Sequence, residues 1–119
     1  MASSPTIVLA EDEPDLRELI QYTLEGDGFS VEAFDAGDDC WERLRTGERP
    51  DLVMLDIMLP GLDGIDMLER VRADESLADV SVVFLTGRGR EEDVNATVDD
   101  YIMKPFSPKE LRERLRQLL

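Results

Sequence analysis

A doubly wound α/β fold, with helices on both faces of a parallel five-stranded sheet, follows from three features of the sequence. Short apolar runs alternate along the chain with stretches whose apolar residues recur at helical spacing. Three of those runs, Thr6 to Ala10, Leu52 to Leu55 and Ser81 to Leu85, are almost continuously apolar, as strands buried on both faces are. The runs are closed by acids or turn formers, Glu11-Asp12-Glu13 after the first and Pro60-Gly61 soon after the second of them.

In chain order, Thr6 to Ala10 is the first buried strand. Pro14 takes the first position of a helix that carries Leu16, Leu19, Ile20 and Leu24 on one face, and Gly26 and Gly28 bracket its end. Phe29 to Phe34 alternates apolar and polar residues, which predicts a half-exposed edge strand. Asp38 to Arg45 is a short helix with Cys40, Trp41 and Leu44 on its inner face. Asp51 to Gly64, DLVMLDIMLPGLDG, then delivers a carboxylate, Asp56, from the third strand into a forced turn, and Asp63 caps a helix over Ile65 to Ala73. Ser81 to Leu85 is the fourth strand, closed by Thr86-Gly87. Glu91 to Ala96 has room for a short helix, and Tyr101 to Met103 for a fifth strand followed by Lys104-Pro105. Ser107-Pro108-Lys109-Glu110 is a capping box for the last helix.

Right-handed crossovers leave few topologies, and the common one at this size has strand order 2-1-3-4-5. The ends of strands 1, 3, 4 and 5 then line one rim, where open α/β sheets bind their ligands. That rim collects Glu11, Asp12, Asp56, Thr86 and Lys104.

Composition narrows the function. The 119 residues suit one domain with one sizeable core, and 42% hydrophobic content supports folding despite 34% charge. Twenty-eight acidic residues against 13 basic ones give a net charge of −15, which argues against direct binding to nucleic acid. Lys104 and Lys109 are the only lysines, a pattern shared by proteins of high-salt cells and by acidic proteins of arginine-favouring genomes. With no histidine, the chain can supply no His ligand, His base or phosphohistidine. No apolar run is long enough for a membrane span, nothing resembles a signal peptide, and Cys40 stands alone, so a reducing, cytoplasmic setting is expected.

Two unit charges about 4 Å apart interact by roughly 4 kcal/mol at an effective dielectric near 20. Three carboxylates at one rim therefore call for a cation, and an all-oxygen set without His or Cys selects a hard one such as Mg²⁺. Asp12 and Asp56 are expected as direct ligands, Glu11 as a water-mediated one, and the Met58 carbonyl as a further oxygen. Beside such an ion Asp56 is placed to act as a nucleophile toward a phosphoryl group, with Lys104 and the Thr86 hydroxyl on its oxygens.

Taken together, LAEDEPDLREL, DLVMLDIMLPGLDG, FLTG and DDYIMKPFSPKEL resemble a response-regulator receiver domain over nearly the whole chain, residues 1–119 as a single domain. The resemblance implies a flavodoxin-like fold and a Mg²⁺-dependent signalling switch rather than a conventional enzyme, one that catalyses its own phosphorylation and dephosphorylation. It makes Asp56 the phospho-acceptor, Glu11 and Asp12 the acidic pair, Lys104 the phosphate-pairing lysine, and Thr86 and Tyr101 the switch residues. It also implies a cis Lys104-Pro105 bond, and Met58 and Arg88 as flanking residues that set phosphoryl lifetime. The implied donor is a sensor histidine kinase. The implied recipient is a downstream target protein or output domain, and the output surface of fourth helix, fifth strand and last helix admits a weak homodimer. On phosphorylation Thr86 is drawn inward and Tyr101 fills the vacated space. Full conversion needs about 5.5 kcal/mol of differential stabilisation, more than one charge-assisted bond supplies.

The stretch from Thr86 to Lys104 is shorter than such domains usually have, by about one helical turn. Thr97-Val98 also stands where they usually carry Gly-Ala. A truncated or irregular fourth helix is therefore expected, and with it an altered output surface. A pseudo-receiver that binds partners without being phosphorylated is the main alternative. A magnesium-dependent phosphatase would want a second carboxylate where Met58 stands, and a flavin binder would not place Glu11-Asp12-Glu13 at its phosphate loop.

Overall fold

The structure, a computed structural model, describes residues 4–87 and 98–119. The helix expected over Glu91 to Ala96, and Arg88, lie outside the described residues. The elements run β1 (Thr6–Ala10), α1 (Pro14–Gly26), β2 (Ser30–Phe34), α2 (Gly37–Thr46), β3 (Leu52–Asp56), α3 (Gly64–Ala73), β4 (Ser81–Thr86), β5 (Asp100–Met103) and α4 (Pro108–Leu118). The sheet has order β2-β1-β3-β4-β5 with every pairing parallel, the predicted topology.

Strand alternation sorts the core into two layers. Val8, Ala10, Val53, Leu55, Val82 and Phe84 face Cys40 and Leu44 of α2 and Met67, Leu68 and Val71 of α3. Ile7, Leu9, Leu52, Met54, Val83, Leu85 and Ile102 face Ile20 and Leu24 of α1 and Leu111 and Leu115 of α4. Each fully buried Val, Leu, Ile, Met or Phe among them contributes roughly 1.5–3 kcal/mol. Trp41 is half-buried rather than inside the core, packed on the first layer with the Arg70 guanidinium 5.9 Å from its ring centre. Val98 packs on the same layer.

The predicted caps form where side chains signal them. Asp63 accepts a hydrogen bond from the Asp66 amide at 2.9 Å, and Ser107 Oγ accepts one from the Glu110 amide at 3.1 Å. By contrast α2 starts at Gly37, one residue ahead of expectation, after Ala36, which has no capping side chain to signal the start. Gly37 is there for closeness: its amide donates to the Pro60 carbonyl at 3.3 Å, and a Cβ would fall inside the Leu62 carbonyl. Gly61, at φ +74°, makes the turn that brings this loop back. The β3–α3 loop is thereby seated on the first turn of α2. Its far end is equally tight, since a Cβ on Gly64 would lie 2.6 Å from the Asp56 carbonyl oxygen.

Candidate functional site

Backbone hydrogen bonds carry the sheet just past its strands and fix the tips. The Glu11 amide donates to Phe34 O at 3.0 Å, the Ile57 amide to Leu85 O at 3.2 Å and the Lys104 amide to Thr86 O at 2.8 Å. Glu11, Asp56, Thr86 and Lys104 consequently stand side by side at the carboxyl edge, and the Lys104–Pro105 peptide is cis.

Lys104 Nζ lies 2.7 Å from Asp56 Oδ2 and 2.7 Å from Glu11 Oε1. The contact to Asp56 is an aligned hydrogen bond. The contact to Glu11 is close enough for an ion pair yet misaligned for hydrogen bonding, so Glu11 Oε1 is buried without a hydrogen-bond partner. Glu11 Oε2 accepts from the Glu13 amide at 3.1 Å, and Asp56 Oδ1 accepts from the Met58 amide at 2.9 Å. Glu11 and Asp56 are buried, whereas Asp12 is exposed beside them. One oxygen from each of the three acids lies within 4.8 Å of the others.

Burial pushes the Glu11 carboxyl up to about 7, aided by the Asp56 charge and opposed by Lys104 and the Glu13 amide. Burial pulls the other way on Lys104, but the hydrogen bond to Asp56 and the pairing with Glu11 outweigh it and hold its ammonium above the usual lysine range. Lys104 is thus a fixed cation at neutral pH. One cation against three carboxylates leaves the cluster short of positive charge, and Glu11 Oε1 lacks an aligned donor. A hard divalent cation meets both deficits, so the donor set fits Mg²⁺.

Thr86 is buried, and its Oγ1 donates to the Gly87 carbonyl at 3.2 Å. Tyr101 stands on β5 with 38% of its surface exposed. Met58 projects into solvent while its amide is tied to Asp56. One contact that no sequence motif signals is Arg17 Nη1, which donates to the Glu11 carbonyl at 3.0 Å.

The family model for the response regulator receiver domain matches residues 7–116. The chain belongs to the response regulator receiver family. The receiver is 40% identical over 120 residues to the phosphate regulon transcriptional regulatory protein PhoB of Rhizobium meliloti, covering 97% of this chain and 52% of that protein. It is 41% identical over 117 residues to the DNA-binding response regulator MtrA of Mycolicibacterium smegmatis, covering 95% of this chain and 50% of that one. The receiver therefore spans about half the length of the curated relatives it matches. The chemotaxis response regulator CheY4 of Vibrio cholerae superposes with a TM-score of 0.91 over 98% of the receiver and 100% of its own chain. At 21% identity that likeness speaks for the fold alone. Among the described residues no helix is long and apolar enough to cross a membrane.

Proposed function

We propose that the receiver accepts a phosphoryl group on Asp56 from a sensor histidine kinase, in a Mg²⁺-dependent reaction, and that the chain acts as one receiver domain over residues 1–119. The observation that carries this reading is Lys104 Nζ, 2.7 Å from both Asp56 Oδ2 and Glu11 Oε1, beside three acids whose oxygens come within 4.8 Å. Glu11, Asp12, Asp56 and the Met58 carbonyl would hold the ion. When bound, Mg²⁺ neutralises the oxygens of the transferring phosphoryl group.

The chain's own residues do the rest. An Asp56 carboxylate oxygen attacks phosphorus, the bond to the donor nitrogen breaks, and the nitrogen keeps the electron pair. Lys104 pairs with one phosphoryl oxygen as a point charge. The Thr86 hydroxyl exchanges its bond to the Gly87 carbonyl for another phosphoryl oxygen. Attack by water later returns the carboxylate and inorganic phosphate, so the receiver catalyses both its own phosphorylation and its dephosphorylation.

The acyl phosphate carries about one more negative charge than the carboxylate at neutral pH. Thr86, drawn toward it, leaves room that Tyr101 fills, and the surface that includes β5 and α4 repacks for a downstream target protein or output domain. Incubation with acetyl phosphate and Mg²⁺, followed by intact mass, tests the reading. The expected result is one phosphoryl adduct that EDTA and Asp56→Asn each abolish. An adduct that survives Asp56→Asn, or no adduct on the wild type, overturns it.

A further inference from the structure

We infer that Arg17 is a positioning residue for the metal-binding acids, acting through the main-chain carbonyl of Glu11. This rests on the proposed binding of Mg²⁺ by Glu11 and Asp12. Arg17 lies on the first turns of α1 and reaches back over the helix start, where its Nη1 donates to Glu11 O at 3.0 Å. Glu11, Asp12, Glu13 and Asp15 are all close in sequence, yet among the described residues the guanidinium pairs with none of them. It serves a carbonyl instead.

That choice has a geometric consequence. Glu11 is pinned at three points: its amide on Phe34 O, its carbonyl under Arg17 and its Oε2 on the Glu13 amide. The peptide that follows is planar, so aiming the Glu11 carbonyl also sets the direction in which Asp12 leaves the strand. Asp12 is exposed and does not owe its place to burial, yet its carboxylate comes within 4.8 Å of the Glu11 and Asp56 oxygens. Arg17 holds the joint on which that approach depends.

Charge alone makes the opposite prediction. A guanidinium near a cation site repels the ion, so its removal would tighten binding. The sign of the change therefore decides. Mg²⁺ titration by calorimetry of wild type, R17M and R17K is the test, with hydrogen exchange of the Glu13 amide, which donates to Glu11 Oε2, in EDTA alongside. Loss of an outer partner of metal ligands typically costs 10–100-fold in affinity, and about tenfold weakening is expected for R17M. Faster exchange of the Glu13 amide accompanies it, and R17K, which keeps a donor and the charge, recovers part of the loss. Unchanged or tighter binding in R17M, or no recovery in R17K, overturns the role of Arg17. Failure of the wild type to bind Mg²⁺ would instead sink the magnesium reading on which it rests.

Discussion

Glu11 should give the ion-free protein a pH dependence opposite to that of an ordinary ion-paired carboxylate. Its carboxyl is pushed from 4.5 up to about 7, first by burial and then by the neighbouring Asp56 charge. Between those values the folded state holds a proton that the unfolded chain has released. The stability this group contributes is complete below 4.5 and is lost as pH rises through about 7. Each pKa unit is worth about 1.4 kcal/mol, so raising the pH from about 5.5 to 8 in EDTA should cost at most about 2 kcal/mol. The other shifted acids act elsewhere. Hydrogen bonds to Ser76 and Arg49 hold Asp74 and Asp79 below 3.8, so their effect lies in acid. Burial pushes the Cys40 thiol from 9.0 up to about 12, above the window. Urea unfolding followed by Trp41, the only tryptophan, measures the difference. Mg²⁺ at about a hundred times its dissociation constant should restore about 2.7 kcal/mol at pH 8. Stability in EDTA that is flat or rises over this range, or a fall of the same size in Glu11→Gln, refutes the reasoning.

Two further predictions concern the switch and the loop behind it. Thr86→Ala should leave Mg²⁺-dependent phosphorylation of Asp56 largely intact while reducing the NMR shift changes on activation; a full response in the mutant would end the role given to that hydroxyl. Gly37→Ala, at the first residue of α2, gains less than the ~1 kcal/mol that a helix interior would give but drives a Cβ into the Leu62 carbonyl. Sterics of that kind cost about 1–3 kcal/mol or more, so a net loss of urea stability is expected, and a more stable variant would contradict the close seating of the loop on α2.

Much of the fold is legible in the sequence because its signals are local. The near-continuous apolar runs of β1, β3 and β4 announce strands buried on both faces, and Pro14, Asp63 and Ser107 mark helix starts by chemistry that acts within one turn. The start of α2 escapes, since Ala36 offers no capping group. Likewise the reach of β5 back to Asp100 depends on pairing with β4, where Asp100 stands opposite Val83. At the rim, residue types point to Glu11, Asp12, Asp56 and Lys104, because only certain strands end there. What spacing cannot reveal is how the charges divide. Burial makes Glu11 the acid with a raised pKa and leaves Asp12 in solvent, and a single lysine bridges Glu11 and Asp56. Arg17 and Gly37 act through main-chain carbonyls, contacts that leave no trace in motif or periodicity.

The most direct test is a crystal structure of the receiver with Mg²⁺ and beryllium trifluoride, a mimic of the acyl phosphate. The expected density has beryllium bonded to an Asp56 oxygen, with Lys104 and Thr86 on the fluorines. A metal should lie between Asp56, Asp12 and the Met58 carbonyl, with Glu11 held beside it. Beryllium trifluoride bound away from Asp56, or a metal position that excludes Asp12 and Asp56, would contradict the account.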